Sequence, residues 1–394
     1  MHLVIFTTKF QLVFSEMKQT FLFLTTILLL LSCKNETKKT AATATEVSEL
    51  TTHFAEGFNI KNYEGYKTIT ITNPWPGADK KFTYALIEKG TNLENKDEFD
   101  AVVETPIQSI VVTSTTHIPS LEALGVAKKL VGFPNLEYIS SEKTRKNIDA
   151  GKLKELGKNE SINTEVLIAL SPDAVITFAV EGDNKTVATI QKTGIPVLYN
   201  ADWTETTPLG KAEWIKFFGV LFNKEKEADS IFNHIKTEYL SAKKIAQKAS
   251  KTPTVLSGAL YKDVWYLPQG DSWAAQFIAD ANGDYLWKES EGTGSISLNI
   301  ESVLEKGKEA EFWIGPGQFT SLSQLEEYNK VYAQFDAFQQ DRVYSFTNKK
   351  GATGGVIYYE LAPNRPDLVL KDMIKILHPE LLPDYELYFF SKLN

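Results

Sequence analysis

A short sequence motif occurs twice in this chain, 136 residues apart, and this duplication constrains the fold more than any other feature. The first copy, residues 163–168, reads Asn-Thr-Glu-Val-Leu-Ile, and the second, residues 299–304, reads Asn-Ile-Glu-Ser-Val-Leu. An apolar segment of strand length follows each copy at nearly the same distance, at 174–178 and at 311–314. The chain is therefore predicted to contain two equivalent units, one in each half.

Around these copies, apolar segments of strand length alternate with helical segments, which is typical of α/β lobes with central parallel sheets. Between the two halves, residues 224–249 contain neither Gly nor Pro and carry apolar residues at helical spacing. We therefore expect an α/β fold with two Rossmann-like lobes, an N-terminal one over 106–223 and a C-terminal one over 250–394. A single long helix, residues 224–249, is expected to join them.

A targeting signal precedes both halves. From Met17 the chain has a positive charge at Lys18, an apolar run over 21–31, and the small Ser32 before Cys33. This is the layout of a signal peptide, and the run is too short for a full membrane span. Residues 30–33 resemble a bacterial lipobox, which implies cleavage before Cys33 and its lipidation; an uncleaved anchor helix is the alternative. We expect a signal peptide over 1–32, of which 1–16 is an overextended gene start, and a protein body outside the cytoplasm, anchored to a membrane by lipidated Cys33.

Two further segments lie between Cys33 and the first lobe. Residues 33–53 are mostly small and polar, which predicts a flexible, lipid-anchored tether. Residues 54–105 contain strand-like segments at 66–72 and 82–87, separated by Asn-Pro-Trp-Pro-Gly. We expect this N-terminal β extension to add a hairpin to the edge of a larger sheet.

Composition excludes several functions. The formal net charge is −8 and no basic block is present, so no nucleic-acid partner is expected. Cys33 is the only cysteine, which rules out a disulfide within the chain. Four histidines outside the signal peptide are scattered along the sequence, which disfavours a binder of bare zinc or manganese; they are His53, His117, His234 and His378. No G-x-S-x-G motif supports a hydrolase, and we expect no enzyme activity, no cofactor and no resident metal.

The duplicated motif places an acid at the same position in both halves. In each copy Asn suits the N-cap and Glu falls at the second helical position, so Glu165 and Glu301 would lie ionised at positive helix ends. Either they only stabilise their helices, by a few tenths to ~1 kcal/mol, or they form a docking pair. Two carboxylates held apart on a rigid frame suit a two-fold membrane partner with paired arginines.

With these features in this order, the chain resembles the class III substrate-binding proteins of ABC importers, which carry ferric siderophores, haem or cobalamin. The similarity extends from about residue 107 to the C-terminus and is carried by residues 109–113, 121–125, 163–175, 194–197, 270–272 and 299–304. The resemblance implies a ligand in the cleft between the lobes, and an importer permease with its ATPase as partners. It also implies that one Glu per lobe docks with permease arginines, at positions that match Glu165 and Glu301. Residues 54–105 depart from the family pattern.

Ligands of open α/β sheets bind beyond the C-terminal ends of the strands. This rule selects the ligand-binding candidates Thr116, His117, Tyr138, Asp202, Trp203, Tyr261, Trp265, Trp273, Tyr358 and Arg365. Three of them have alternative roles: His117 as a helix cap, Trp265 as a core residue in part, and Arg365 as the partner of a structural acid. The aromatic candidates and Arg365 favour a ferric siderophore or a similar iron chelate. Cobalamin and haem are the alternatives within the family, and a non-transport sensor is less favoured.

Overall fold

The computed structural model describes residues 46–50, 52–182 and 184–394. The predicted signal peptide, the lipidation site Cys33 and the tether as far as residue 45 lie outside the described residues. Within the described ranges, no helix is both long and apolar enough to cross a membrane.

The described residues form strands and helices that are numbered here in chain order. The strands are β1 (Glu46–Leu50), β2 (Phe58–Tyr63), β3 (Tyr66–Ile71), β4 (Phe82–Glu88), β5 (Ala101–Thr105), β6 (Ile110–Val112), β7 (Leu130–Phe133), β8 (Lys154–Glu155), β9 (Gly157–Lys158), β10 (Ser161–Ile162), β11 (Ala174–Thr177), β12 (Val197–Tyr199), β13 (Thr254–Ser257), β14 (Ala259–Tyr261), β15 (Val264–Pro268), β16 (Asp284–Tyr285), β17 (Ser295–Leu298), β18 (Phe312–Ile314), β19 (Val343–Ser345) and β20 (Ser391–Lys392). The α-helices are α1 (Ile118–Ala123), α2 (Glu142–Asp149), α3 (Thr164–Leu170), α4 (Lys185–Gln191), α5 (Pro208–Glu213), α6 (Ile215–Leu221), α7 (Glu225–Ala246), α8 (Trp273–Asp280), α9 (Ile300–Gly307), α10 (Leu322–Tyr328), α11 (Asp336–Gln339), α12 (Ile357–Leu361) and α13 (Pro366–Leu377).

The N-terminal extension forms a sheet of its own, the N-terminal sheet, with strand order β1-β2-β3-β4-β5. Its neighbouring strands are antiparallel except β4 and β5, which are parallel. One face carries apolar side chains such as Phe58 and Ile69, which are buried in the core of the first lobe. The predicted hairpin is present, because β3 and β4 pair antiparallel, but its expected place at the edge of a larger sheet is wrong. Residues 46–50 also form a strand rather than part of a flexible tether, because they pair with β2.

Two buried carboxylates hold the start of this extension. The fully buried Glu213 accepts hydrogen bonds from the backbone N–H groups of residues 53–55, at 2.8–3.1 Å. Glu205 accepts hydrogen bonds from the N–H groups of residues 56 and 57 and from the Trp214 indole. Burial raises the pKa of the Glu205 carboxyl, although these donors oppose the shift. The chain is thus anchored from residue 53 onward, at a position that the sequence assigned to the tether.

The first lobe is built on a parallel sheet with strand order β12-β11-β6-β7-β8. Its central strands β6 and β11 are buried along their whole length, as expected for a sheet that is covered on both faces. The N-terminal sheet covers the edge strand β12, where the N–H of Tyr199 donates to the hydroxyl oxygen of Tyr84 at 2.9 Å. This contact satisfies a backbone donor that an edge strand would otherwise leave unpaired.

The second lobe repeats the topology of the first. Its main sheet has strand order β16-β13-β18-β19-β20, and only the last pair is antiparallel. In chain order, β13, β16, β18 and β19 take the places that β6, β7, β11 and β12 take in the first lobe. The duplicated motif forms α3 in one lobe and α9 in the other, directly before the equivalent strands β11 and β18. The second lobe also has a small antiparallel sheet, β14-β15-β17.

One unbroken helix, α7, packs against both lobes. Its first half buries Phe232 and Ile235 in the core of the first lobe. Its second half buries Tyr239 and Ala246 in the core of the second lobe. Because the helix contacts a different core with each half, it joins the lobes instead of belonging to either of them.

Candidate functional site

A cleft lies between the lobes, at the edge where parallel strands of both sheets end. The segments after β6, β7 and β11 contribute residues from the first lobe, and the segments after β13 and β18 contribute residues from the second. Two cavities open there. This is the edge at which open α/β sheets bind ligands.

The smaller cavity, of about 320 Å³, has walls from both lobes. Phe133, Tyr138 and Phe178 line it from the first lobe, and Tyr359 and Glu360 line it from the second. A ligand in this cavity would touch both lobes at once.

The larger cavity, of about 830 Å³, belongs to the second lobe and has a mainly aromatic wall. Its aromatic lining comprises Tyr261, Tyr266, Trp273, Phe277, Phe319, Tyr328, Phe346, Tyr358, Tyr359 and Phe390. Among the described residues that line it, Lys262 alone is charged. Tyr359 lines both cavities, so we treat the two as one cleft.

The aromatic wall combines fixed rings with exposed ones. Tyr358 stacks on Phe346 with ring centroids 4.3 Å apart and meets Phe389 edge-on at 5.5 Å. Burial raises the pKa of the Tyr358 hydroxyl, so this side chain stays neutral. In contrast, Tyr261 is 66% exposed and Tyr359 is 50% exposed. The inner rings therefore form a preorganised floor, while the outer rings can contact a ligand.

The two lobes touch at the side of the cleft through a buried acid. Glu360 of α12 accepts hydrogen bonds from the N–H groups of Ser140 and Ser141 of the first lobe, at 2.6 and 3.0 Å. Burial and, to a smaller extent, the nearby Glu122 raise the pKa of the Glu360 carboxyl to about 7, although the two N–H donors oppose the shift. A side chain at Gly355 would lie 2.6 Å from the Ser140 hydroxyl oxygen, so this close approach requires glycine.

Four of the predicted ligand-binding residues line the cleft. Tyr138 lies at the smaller cavity, and Tyr261, Trp273 and Tyr358 lie at the larger one.

Two other candidates are core residues, so the prediction that they face a ligand is wrong for this structure. His117 is fully buried and packs against Phe218 with ring centroids 5.5 Å apart, and burial lowers the pKa of its imidazole. Trp265 is also fully buried, stacks on Trp313 at 5.4 Å, and donates its indole N–H to the backbone of Ser257.

Four candidates lie outside the two cavities of the cleft. Arg365 donates two hydrogen bonds of 2.7–2.8 Å to Asp367 and lines a separate cavity beside α7. Its alternative role, as the partner of a structural acid, therefore fits better than ligand binding. The carbonyl of Thr116 accepts a hydrogen bond from Asn364 of the second lobe. Asp202 is buried, and the carbonyls of Asp202 and Trp203 accept hydrogen bonds from Lys211.

Sequence reasoning missed several residues of the cleft. Phe133 and Phe178 stand at or just after the C-terminal ends of β7 and β11, and that position was an available signal. Phe346 follows β19 in the same way. Glu360 had no comparable signal, because its partner Ser140 is 220 residues away in sequence.

The duplicated acids lie on the surface at equivalent positions of the two lobes. Asn163 caps α3 by accepting from the N–H of Val166, and Asn299 caps α9 by accepting from the N–H of Ser302. Glu165 and Glu301 lie in the first turns of these helices, and both are exposed. The large apolar side chain of Ile168, one turn after Glu165, is 52% exposed.

No group of three or more His, Cys, Asp and Glu side chains that could hold a metal ion occurs in the part of the chain that the structure describes.

Comparisons with known proteins agree with this architecture. The family model described as periplasmic binding protein matches residues 110–349. A Methanocaldococcus jannaschii protein named as an uncharacterized lipoprotein is 28% identical over an alignment of 364 positions that covers 86% of this chain and 85% of that protein. Among solved structures, that of an ABC-type Fe³⁺-hydroxamate transport system from Saccharomonospora viridis has a TM-score of 0.53 and 15% identity, over 78% of this chain and 98% of the other. The periplasmic haem-binding protein of Vibrio cholerae has a TM-score of 0.53 and 17% identity, over 67% of this chain and 99% of the other. Because the family match covers more than half of the sequence, this chain belongs to the periplasmic binding protein family, whose members are substrate-binding components of ABC importers.

Proposed function

We propose that this protein captures a ferric siderophore or a similar iron chelate outside the cytoplasmic membrane and delivers it to an ABC importer. The observation that carries the proposal is the aromatic cleft, whose walls come from both lobes. Cys33, lipidated and made the N-terminal residue by removal of the signal peptide, would anchor the protein to a membrane. This anchor would keep the cleft within reach of the permease.

The size and lining of the cleft support a bulky organic ligand. Cavities of about 830 and 320 Å³ fall within the range of roughly 300–1,000 Å³ that is common for small-molecule sites. Aromatic rings stack on flat or apolar groups, so they bind the organic framework of a chelate rather than its metal ion. Lys262 provides a positive charge beside the exposed ring of Tyr261, and this pair suits an anionic complex. Lys262 would thus supply the positive charge for an anionic ligand, which was expected of Arg365.

Haem and cobalamin are the alternative ligands. Haem is supported by the exposed tyrosines Tyr261 and Tyr359, because a tyrosine oxygen is an established axial ligand of haem iron. The structural neighbours include two proteins named for haem binding and one named for an Fe³⁺-hydroxamate transport system. The planar porphyrin also matches a wall of stacked rings.

Delivery would use the two exposed acids. Glu165 and Glu301 lie on equivalent helices of the two lobes, and α7 joins those lobes. A permease with two-fold symmetry could present one arginine to each acid, and bidentate contacts would fix the orientation of the bound protein. The ATPase of the importer would then drive release of the ligand into the permease.

Titration of the mature protein with a ferric trihydroxamate, a ferric catecholate, haemin and cobalamin tests the proposal. We expect one iron chelate to bind in the micromolar range or tighter, and Tyr359→Ala to weaken this binding by about tenfold. Tyr388→Ala is the matched control, because Tyr388 is 46% exposed and lies outside the cleft lining. Binding of haemin alone or of cobalamin alone would show that the ligand is the corresponding alternative and not a siderophore. A lack of binding to all four, or turnover of one of them, would contradict the proposal.

A further inference from the structure

The loop between β3 and β4 of the N-terminal sheet contacts the first lobe at its ligand-binding edge. Trp75 of this loop lies against Gly182, in the segment that follows β11. The hydroxyl of Thr204, which follows β12, points to the carbonyl of Asn73 at 3.4 Å. The loop therefore contacts both segments that leave these neighbouring strands at their C-terminal ends.

Trp75 contacts aromatic side chains of both the N-terminal sheet and the first lobe's sheet. Its indole packs edge-on against Phe82 of β4, with ring centroids 5.9 Å apart, and against Tyr199 of β12 at 6.1 Å. Phe82 and Tyr199 are themselves in contact at 4.7 Å. The Tyr199 backbone is fixed by the buried hydroxyl of Tyr84. The indole is thus fixed by packing at the interface between the N-terminal sheet and the first lobe's sheet.

The segment 178–182 lies between this indole and the cleft. Phe178 at its start lines the smaller cavity. Gly182 at its end approaches the indole so closely that an added Cβ would lie 3.2 Å from Trp75 Cζ2. Between them, Ala179 is buried in the core of the first lobe, whereas Val180 is 67% exposed and contributes little packing. The segment is therefore held by the core at Ala179 and by Trp75 at Gly182.

We propose that Trp75 is a positioning residue for the ligand-binding cleft, because it holds the segment 178–182 that carries Phe178. The N-terminal sheet then contributes to ligand binding indirectly. It does so through the Trp75 indole, which contacts the first lobe where its strands end. A side chain at position 182 would lie 3.2 Å from the indole, so the segment or the indole would have to shift by a few tenths of an ångström. The effect on ligand affinity rests on the proposed function, but the effect on the segment itself does not.

Hydrogen exchange of the ligand-free mature protein tests this role directly. Removing two aromatic contacts of Trp75 should speed exchange of the amides in 178–182 by about tenfold in Trp75→Ala. Trp75→Phe should restore most of the protection. Tyr66→Ala is the matched control, because Tyr66 stacks on Tyr63 in the same sheet at the opposite end of β3. It should leave the segment unchanged.

A double-mutant cycle separates positioning from general stability. Gly182→Ala should speed exchange in 178–182 when Trp75 is present and have little effect when it is combined with Trp75→Ala. Unchanged exchange in Trp75→Ala, equal effects of Trp75→Ala and Tyr66→Ala, or additive effects of the two substitutions would each overturn the proposal.

Titration of the same variants with a ferric trihydroxamate and with haemin adds the functional readout. Trp75→Ala should weaken the binding of whichever probe the unmodified protein binds by about tenfold, and Tyr66→Ala by less than about twofold. Unchanged affinity in Trp75→Ala would overturn the role in binding. If the unmodified protein binds neither probe, the proposed ligand class fails, while the exchange experiment still decides whether Trp75 holds the segment.

Discussion

Replacing Glu360 by Gln should remove a large part of the pH dependence of stability. The structure buries this carboxyl between the lobes and raises its pKa from the ordinary 4.5 to about 7. Because the folded-state pKa is the higher one, folding favours the protonated form. The resulting stabilisation is fully present below the unfolded-state pKa and is lost as the pH rises through the folded-state pKa.

The size of this effect follows from the two pKa values. At about 1.4 kcal/mol per pKa unit, the whole titration is worth about 3 kcal/mol, of which about 2.5 kcal/mol falls between about pH 5 and pH 8. The Gln side chain cannot titrate, so the difference in unfolding free energy between the two proteins should carry this slope. Glu205 and Asp372 also have raised pKa values through burial, but they are common to both proteins and cancel in the difference.

Urea unfolding of the ligand-free protein, followed by tryptophan fluorescence at several pH values, measures this difference. Glu309→Gln removes an exposed carboxyl from the second lobe and serves as the baseline. We expect the Glu360→Gln protein to gain stability relative to the unmodified protein as the pH rises. If the difference in unfolding free energy stays constant from about pH 5 to pH 8, the folded protein does not raise the pKa of Glu360, and the prediction is wrong.

Three further predictions concern docking and stability. Glu165→Lys combined with Glu301→Lys should abolish ligand uptake by cells but leave the dissociation constant of the purified protein within about twofold; lost affinity would mean that their role is misplaced. Glu213→Ala should lower the unfolding free energy in urea by about 3–5 kcal/mol, because the N–H groups of residues 53–55 lose their buried acceptor; a loss below about 1 kcal/mol would contradict this anchoring role. Trp265→Ala should lower the unfolding free energy in the same assay by about 3–5 kcal/mol, because it leaves a cavity in the core. Weaker ligand binding without lost stability would instead indicate that Trp265 contacts the ligand.

The two-lobed architecture was predictable because its signals are local and periodic. The duplicated Asn and Glu positions mark helix starts, and the apolar segments after them mark buried strands, so the topological repeat follows from spacing. The long helix α7 follows from a stretch without Gly or Pro whose apolar residues keep helical spacing. The general position of the cleft follows from where the predicted strands end.

Other features depend on contacts that a pattern does not encode. Alternating residues marked strands in the N-terminal extension, but alternation does not specify the partner strand, so the separate sheet was missed. His117 follows the end of β6 and Trp265 lies within β15, yet the burial of both side chains is decided by packing across the lobe. Arg365 is a different case, because its partner Asp367 is two residues away and could have been recognised as a local acid.

Native mass spectrometry with metal analysis of protein isolated from its own host shows directly whether the aromatic cleft holds an iron chelate. We expect a non-covalent ligand of several hundred daltons that contains iron and is absent from the Tyr359→Ala protein. A bound ligand without iron, a bare metal ion, or a ligand that Tyr359→Ala retains in full would contradict this expectation.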